Sequence, residues 1–138
     1  MKAAIIYQSK TGITKKYAES IGNFLTNKGI INSIVSIKDY RPEIIDEVDL
    51  VMIGCWTSGL MIFFQHPDNK WIRFAKKLPP LNNKKVGLFT TYKLATGSMF
   101  RKMRQYLKIE NPGIELRSKN GMLSKQDQER IIALTENM

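Results

Sequence analysis

The sequence predicts an α/β fold in which a five-stranded parallel sheet carries helices on both faces. Short apolar segments of strand length alternate along the chain with longer segments whose apolar residues recur at helical spacing. The 138 residues are 43% hydrophobic, which is enough to bury one core, and no repeat, linker or low-complexity tract divides them. We therefore expect one domain over residues 1–138.

The first half of the chain contains three predicted strands and one long helix. Tyr17 and Ile21 belong to an apolar stripe at helical spacing, and Gly29 is a stop signal after it. Pro42 interrupts the segment after the second strand, which favours a short connection or a poor helix there. The predicted elements are a strand at 3–7, a helix at 13–27, a strand at 30–37, the connection at 39–47 and a strand at 48–53.

The second half repeats the alternation. Pro79 stops a helix, Ser98 and Ser124 are candidate N-caps, and Pro112 lies in a turn. The predicted elements are helices at 70–77, 98–108 and 124–134 and strands at 85–90 and 114–117.

Right-handed crossovers leave few arrangements for these strands, and the doubly wound order 2-1-3-4-5 suits a chain of this length. In that order a ligand lies beyond the carboxyl ends of the strands, around the switch point between the first and third strands. The candidate ligand-binding loops are therefore 8–14, 54–69 and 90–98.

The first of these loops is rich in hydroxyl groups. Ser9, Thr11 and Thr14 lie within six residues at the start of a helix, where backbone N–H groups and the helix dipole favour an anion. The glycine patterns of the Walker loop and of the dinucleotide fingerprint are both absent. A monophosphate held largely by neutral donors fits this loop best.

The same loop resembles the phosphate loop of the flavodoxin family, which reads Ser/Thr-x-Thr-Gly-x-Thr directly after the first strand. The resemblance implies a flavodoxin-like three-layer sandwich that binds FMN and transfers electrons between redox partner proteins. It also implies that the hydroxyls of Ser9, Thr11 and Thr14 and the amides of the loop hold the FMN phosphate. The residues that match or lie within the motif are Ser9, Lys10, Thr11, Gly12, Ile13 and Thr14.

Two further loops would hold the flavin ring by this resemblance. After the third strand flavodoxins often read Gly-Cys-Ser-x-Trp/Met-Gly, and Gly59 takes the position of the second glycine, which suits a peptide flip. The aromatic residue stands two positions early, at Trp56, and Lys93 replaces the acidic residue expected after the fourth strand. The candidate ring-binding residues are Cys55, Trp56, Thr57, Ser58, Gly59, Thr90, Thr91, Tyr92 and Gly97.

The net positive charge of the chain comes entirely from its second half. Residues 1–69 carry seven Lys/Arg and seven Asp/Glu, whereas residues 70–138 carry fifteen and five. Lys93 and Lys70 near the ring loops predict that the second electron enters a bound flavin at a less negative potential than in acidic flavodoxins. The basic residues of the third and fourth helices predict redox partners with acidic docking surfaces. No recognition motif or interleaved stacking aromatic points to nucleic acid.

Other function classes remain open or are disfavoured. A flavodoxin-fold oxidoreductase acting on a quinone or a protoporphyrinogen is one alternative, since Met61, Ile62, Phe63 and Phe64 could line a substrate or contact a membrane surface. A cofactor-free interaction domain is another. His66 has no metal-ligand partners at suitable spacing, and no nucleophile or acid–base pair stands out.

The expected location is the cytoplasm. The longest apolar runs fall far below the ~20 residues of a membrane helix, so no transmembrane segment is expected. No export signal is evident in the first residues. The lone Cys55 agrees with a reducing compartment.

Overall fold

A computed structural model describes residues 1–60 and 63–137, in which helices and strands alternate as expected. The strands are β1 (Lys2–Gln8), β2 (Ile31–Ser36), β3 (Leu50–Leu60), β4 (Phe63–Pro67), β5 (Lys85–Thr91) and β6 (Ile114–Ser118). The α-helices are α1 (Ile13–Asn27), α2 (Glu43–Asp46), α3 (Asn69–Lys77), α4 (Met99–Leu107) and α5 (Lys125–Glu136), and a 3-10 turn spans Ile37–Asp39. No helix among the described residues is long and apolar enough to cross a bilayer.

Five parallel strands form the sheet in the order β2-β1-β3-β5-β6, which confirms the predicted order when parallel strands alone are counted. Strand β1 pairs with β2 and β3, so that Ile5 stands beside Ile34 on one side and Met52 on the other. This arrangement brings the carboxyl ends of β1, β3 and β5 to one edge of the sheet.

The sixth strand, β4, was not predicted from the sequence. Residues 54–69 do not form an open loop, because β3 continues to Leu60 and β4 returns antiparallel to it, with Ser58 opposite His66. The apolar alternation that would mark these strands is broken by Gly54, Gly59 and polar residues, which is why a loop was expected.

Each face of the sheet is covered by its own apolar cluster. Side chains of α1 and α5, including Tyr17 and Ile131, pack with Ile5 and Met52 on one face. The helices α2, α3 and α4 pack on the other face, where Trp71 and other side chains meet alternate residues of the same strands. The three layers expected from the family resemblance are therefore present.

The helix starts show one correction. Asp68 and Ser124 act as N-caps, since their side chains accept hydrogen bonds from the amides of Lys70 and Asp127, each at 3.0 Å. Ser98 precedes α4 but does not cap it. Its hydroxyl instead donates to the carbonyl of Gln65 at 3.1 Å, because β4 lies beside the start of α4.

Candidate functional site

A cavity of about 600 Å³ opens at the sheet edge where the carboxyl ends of β1, β3 and β5 meet. Its walls come from the three candidate loops and from the segment after β6. Cavities of about 580 and 590 Å³ lie at the opposite edge, so position and lining chemistry, rather than volume, identify the site. The lining residues are Lys10, Thr11, Ile13, Thr14, Trp56, Thr57, Ser58, Gly59, Gln65, Thr91, Tyr92, Lys93, Leu94, Ala95 and Lys119.

The loop before α1 is shaped by Gly12, whose φ of 97° lies in the left-handed region that favours glycine. The amide of Gly12 donates to the hydroxyl oxygen of Ser9 at 3.0 Å, which closes the turn. The N–H groups of Ile13, Thr14 and Lys15 begin the helix and have no partner within it, as in the first turn of any α-helix. Their positive end faces the cavity that Ile13 and Thr14 line.

Hydroxyl groups tie the strand ends together beneath the cavity. The buried side chains of Thr14 and Thr91 share a hydrogen bond of 2.7 Å between their hydroxyl oxygens, which joins α1 to β5. The Thr90 hydroxyl lies 2.7 Å from the carbonyl of Cys55, to which it donates, and 2.8 Å from the hydroxyl of Thr57. These bonds fix the three loops relative to one another, so the site rests on the rigid sheet.

Two aromatic side chains stand on the walls, and each has a lysine over its ring. The ammonium nitrogen of Lys10 lies 4.8 Å from the centre of the Trp56 ring, and that of Lys119 lies 5.7 Å from the centre of the Tyr92 ring. Both distances fall within the range of a cation–π interaction. The aromatic walls are therefore held beside positive charge.

The Trp56 indole also contains a buried polar atom. Its Nε1 has no hydrogen-bond partner among the described residues, although it is inaccessible to solvent. Burying an indole N–H without an acceptor is unfavourable by about 1–3 kcal/mol.

The cavity is electropositive. Lys10, Lys93 and Lys119 line it, and none of its lining residues is acidic. Asp68 lies in the candidate loop 54–69 but does not line the cavity. Its carboxylate accepts from the side chain of Gln8 at 2.9 Å and caps α3. An anion or an electron-accepting group bound here would therefore experience a favourable potential.

The β3–β4 hairpin approaches the cavity through tight backbone turns. Gly59 has a φ of 131°, and a Cβ at this position would lie 2.6 Å from the carbonyl oxygen of Phe64. Phe64 has a φ of 61°, which is uncommon for a bulky residue. The carbonyl of the adjacent Gln65 accepts from the Lys102 ammonium at 2.9 Å and from Ser98, so the hairpin is anchored on α4.

Most of the residues expected at a ligand site line this cavity, and five do not. Cys55 and Thr90 are buried, and burial raises the pKa of the Cys55 thiol, which suits a packing residue rather than a reactive one. Gly97 has a φ of 51° and abuts the Gln65 side chain. The expected residues that do not line the cavity are Ser9, Gly12, Cys55, Thr90 and Gly97.

The structure adds residues that sequence reasoning did not assign to the site. Lys119 follows β6, and the rule that ligands bind beyond the carboxyl ends of the strands could have suggested it. Gln65, Leu94 and Ala95 lie in or beside the candidate loops but carry no motif. Met61 and Ile62, expected in an apolar wall, lie outside the described residues.

Comparison with known proteins agrees with this architecture. A flavodoxin from Megasphaera elsdenii in its two-electron reduced form superposes with a TM-score of 0.74 at 22% identity, covering 97% of this chain and 98% of the other. A flavodoxin from the domain Archaea gives 0.69 at 23% identity, covering 99% and 95%. A flavodoxin mutant from Fusobacterium nucleatum bound to flavin mononucleotide gives 0.66 at 17% identity, covering 98% and 93%.

The family assignment rests on a match to the sequence itself. The family model described as Flavodoxin domain matches residues 4–111, which include all three candidate loops and most of the sheet. The chain therefore belongs to the flavodoxin domain family.

Proposed function

We propose that this chain binds FMN in the cavity and carries electrons between redox partner proteins. The observation that carries the proposal is the helix start after β1, where the first amides of α1 and the Thr11 side chain open onto a cavity walled by two aromatic side chains. The flavodoxin-like fold and the FMN-bound neighbour support it.

The phosphate would be held by the loop before α1. The hydroxyl of Thr11 and the first amides of the helix supply donors, and the Lys10 ammonium supplies charge at the same wall. The Thr14 hydroxyl already bonds to Thr91, so its part is to fix the helix start against β5. The turn closed by Ser9 and Gly12 sets the loop in place before a ligand arrives.

The ring would lie against the aromatic walls. Trp56 and Tyr92 offer flat apolar surfaces, and the cavity volume of about 600 Å³ is in the range of cofactor sites. When bound, FMN would supply the ability to take up and release electrons.

The surroundings suit a carrier. Leu94 and Phe64 are 57% and 74% exposed beside the cavity and its hairpin, so a partner protein can reach this edge. Among the described residues, the cavity lining contains no carboxylate and no histidine that could act as a general acid or base toward a small substrate. A cytoplasmic location belongs to the proposal and is supported by the buried, unpaired Cys55 thiol.

Titration of the purified chain with FMN tests the proposal. We expect shifted flavin absorption bands and quenched fluorescence on binding, and Thr11→Asp should weaken binding about a hundredfold because a donor is lost and a negative charge faces the phosphate. Ser33→Asp adds the same charge at an exposed hydroxyl residue on β2 and serves as the control.

Two results would overturn this assignment. Equal FMN affinity of Thr11→Asp and the unaltered chain would show that the loop does not hold the phosphate. Rapid turnover of a quinone by the FMN-loaded chain with a chemical reductant would identify an enzyme rather than a carrier.

A further inference from the structure

The two helix layers carry very different charge. The exposed and partly buried residues of α3 and α4 include Lys70, Arg73, Lys76, Lys77, Arg101, Lys102 and Arg104, and these two helices contain no carboxylate. The opposite layer, α1 and α5, balances four cationic residues with four acidic ones. The positive excess of the chain is therefore concentrated on one side of the sheet.

Only part of this charge is engaged within the molecule. Arg104 forms an ion pair with Glu115, Lys102 donates to the carbonyl of Gln65, and the Lys76 ammonium lies 5.7 Å from the centre of the Tyr106 ring. The remaining four, Lys70, Arg73, Lys77 and Arg101, are exposed and form no ion pair with a described carboxylate. We refer to these four residues as the basic face.

Three carboxylates lie on segments that adjoin α3. Asp68 caps the start of this helix by accepting from the amide of Lys70. The contact between the Tyr40 and Phe74 rings, with centres 5.2 Å apart, joins α3 to the segment before α2, and α2 itself carries Glu43 and Asp46. None of these three carboxylates forms an ion pair with the basic face.

The basic face continues to the rim of the cavity. The α4 helix holds the β4 strand through Lys102 and Ser98, so the start of α4 lies beside the hairpin at the site. The segment that joins β5 to α4 lines the cavity with Leu94, which is strongly exposed, and with the cationic Lys93. A partner seated on the basic face would therefore also cover the exposed edge of the cavity.

We propose that the basic face docks an acidic surface of a redox partner protein, with Leu94 and Phe64 meeting the partner's apolar centre. This inference rests on the proposed electron-transfer function and names the kind of partner that the site serves. Protein interfaces combine an apolar core with a charged rim, and opposite charge speeds the approach of partners before the core closes. In this chain, the exposed Leu94 and Phe64 would form the apolar core of the interface, and the basic face would form its charged rim.

Two other anionic partners fit the surface less well. The exposed positions of α3 and α4 are all polar or charged, so this face lacks the apolar residues that insert into a membrane surface. The aromatic residues of these helices, Trp71, Phe74, Phe100 and Tyr106, are buried or partly buried against the core and are not presented as stacking platforms for nucleic acid.

The test compares binding of three anionic probes: short poly-L-glutamate, a DNA duplex and vesicles of phosphatidylcholine with phosphatidylserine. Each probe is titrated at several salt concentrations with the unaltered chain and with K70Q/R73Q/K77Q/R101Q. The control variant K15Q/K28Q/K38Q/K125Q removes the same charge from exposed lysines outside α3 and α4. Sedimentation of the unaltered chain and of the basic-face variant reports self-association.

We expect poly-L-glutamate to bind the unaltered chain with strong salt dependence, and the basic-face variant to lose affinity about tenfold more than the control variant. Equal losses in the two charge variants would overturn the proposal, because net charge alone would then explain binding.

Other outcomes would also overturn it. Tighter binding of DNA or of anionic vesicles, lost in the basic-face variant, would assign the face to nucleic acid or membrane. A dimer that dissociates in the same variant would assign it to a second copy of the chain. FMN titration of the unaltered chain and of the two charge variants separates the two proposals. If FMN binds but the basic-face variant loses no more affinity for poly-L-glutamate than the control variant does, only the docking surface is rejected. If the basic-face variant shows the larger loss but the unaltered chain does not bind FMN, only the cofactor is rejected.

Discussion

Lys119 offers a direct test of the electropositive cavity. Its side chain lines the site from the segment after β6, beside Tyr92, and no lining residue carries a negative charge to offset it. Replacing Lys119 by glutamine removes one positive charge while keeping a long polar side chain. In the FMN-loaded chain we expect the potential for uptake of the second electron to become more negative, because the reduced flavin anion loses a favourable neighbour.

The size of the effect follows from the dimensions of the cavity. A volume of about 600 Å³ corresponds to a sphere of ~5 Å radius, which places a charge on the wall ~7 Å from a group at the centre. At an effective dielectric of ~40 for this exposed lysine, Coulomb's law gives ~1.2 kcal/mol. For one electron this is ~50 mV, using ~59 mV per tenfold change in the equilibrium constant.

Equilibration with reference dyes of known potential measures the shift. Lys125→Gln, an exposed lysine of α5 that does not line the cavity, is the matched control and should shift the potential much less. Raising the salt concentration should reduce the difference between the two variants. A shift below ~10 mV, or one equal to that of the control, would refute an electrostatic role for this lysine.

Two further predictions concern stability. A methyl group on Gly54 would overlap the ring of Phe89, its partner in register on β5. Gly54→Ala should therefore lower the free energy of unfolding, measured by urea titration, by about 3 kcal/mol. Addition of Phe89→Leu should recover part of that loss, and purely additive losses would contradict the clash. Burial raises the pKa of the Cys55 thiol above its ordinary value of 9.0. Burial, together with the hydrogen bond that the Tyr17 hydroxyl donates to Asp127, raises the pKa of Tyr17 above its ordinary value of 10.0. Each group stays protonated in the folded chain above the pH at which it ionises in the unfolded chain. Its stabilisation is therefore complete below its ordinary pKa and is lost above it, from pH 9 for Cys55 and from pH 10 for Tyr17, at about 1.4 kcal/mol per pH unit for each group. Cys55→Ala should delay the start of the loss to near pH 10, and an unchanged onset would contradict this reasoning.

The strands and the first loop were accessible from the sequence because local patterns encode them. The run of apolar residues before Gln8 and the hydroxyls after it predicted β1 and the start of α1, and Thr14 does lie at the cavity. The β3–β4 hairpin could not be predicted from the sequence, because antiparallel pairing of β4 with β3 depends on contacts that Gly59 permits rather than on a periodic pattern. The expected cap at Ser98 failed for a related reason: β4 offers its hydroxyl a carbonyl to bond.

The sequence by itself determined the fold class, the hydroxyl-rich loop before α1 and the excess of positive charge, because composition and short motifs carry that information. Only the tertiary structure decided where the charge acts. Lys10 and Lys119 are over a hundred residues apart in the chain, yet they stand over the two aromatic walls of one cavity. Parallel strands gather their carboxyl ends at one edge whatever their separation in sequence, and that convergence makes a single electropositive site of residues that look unrelated in the chain.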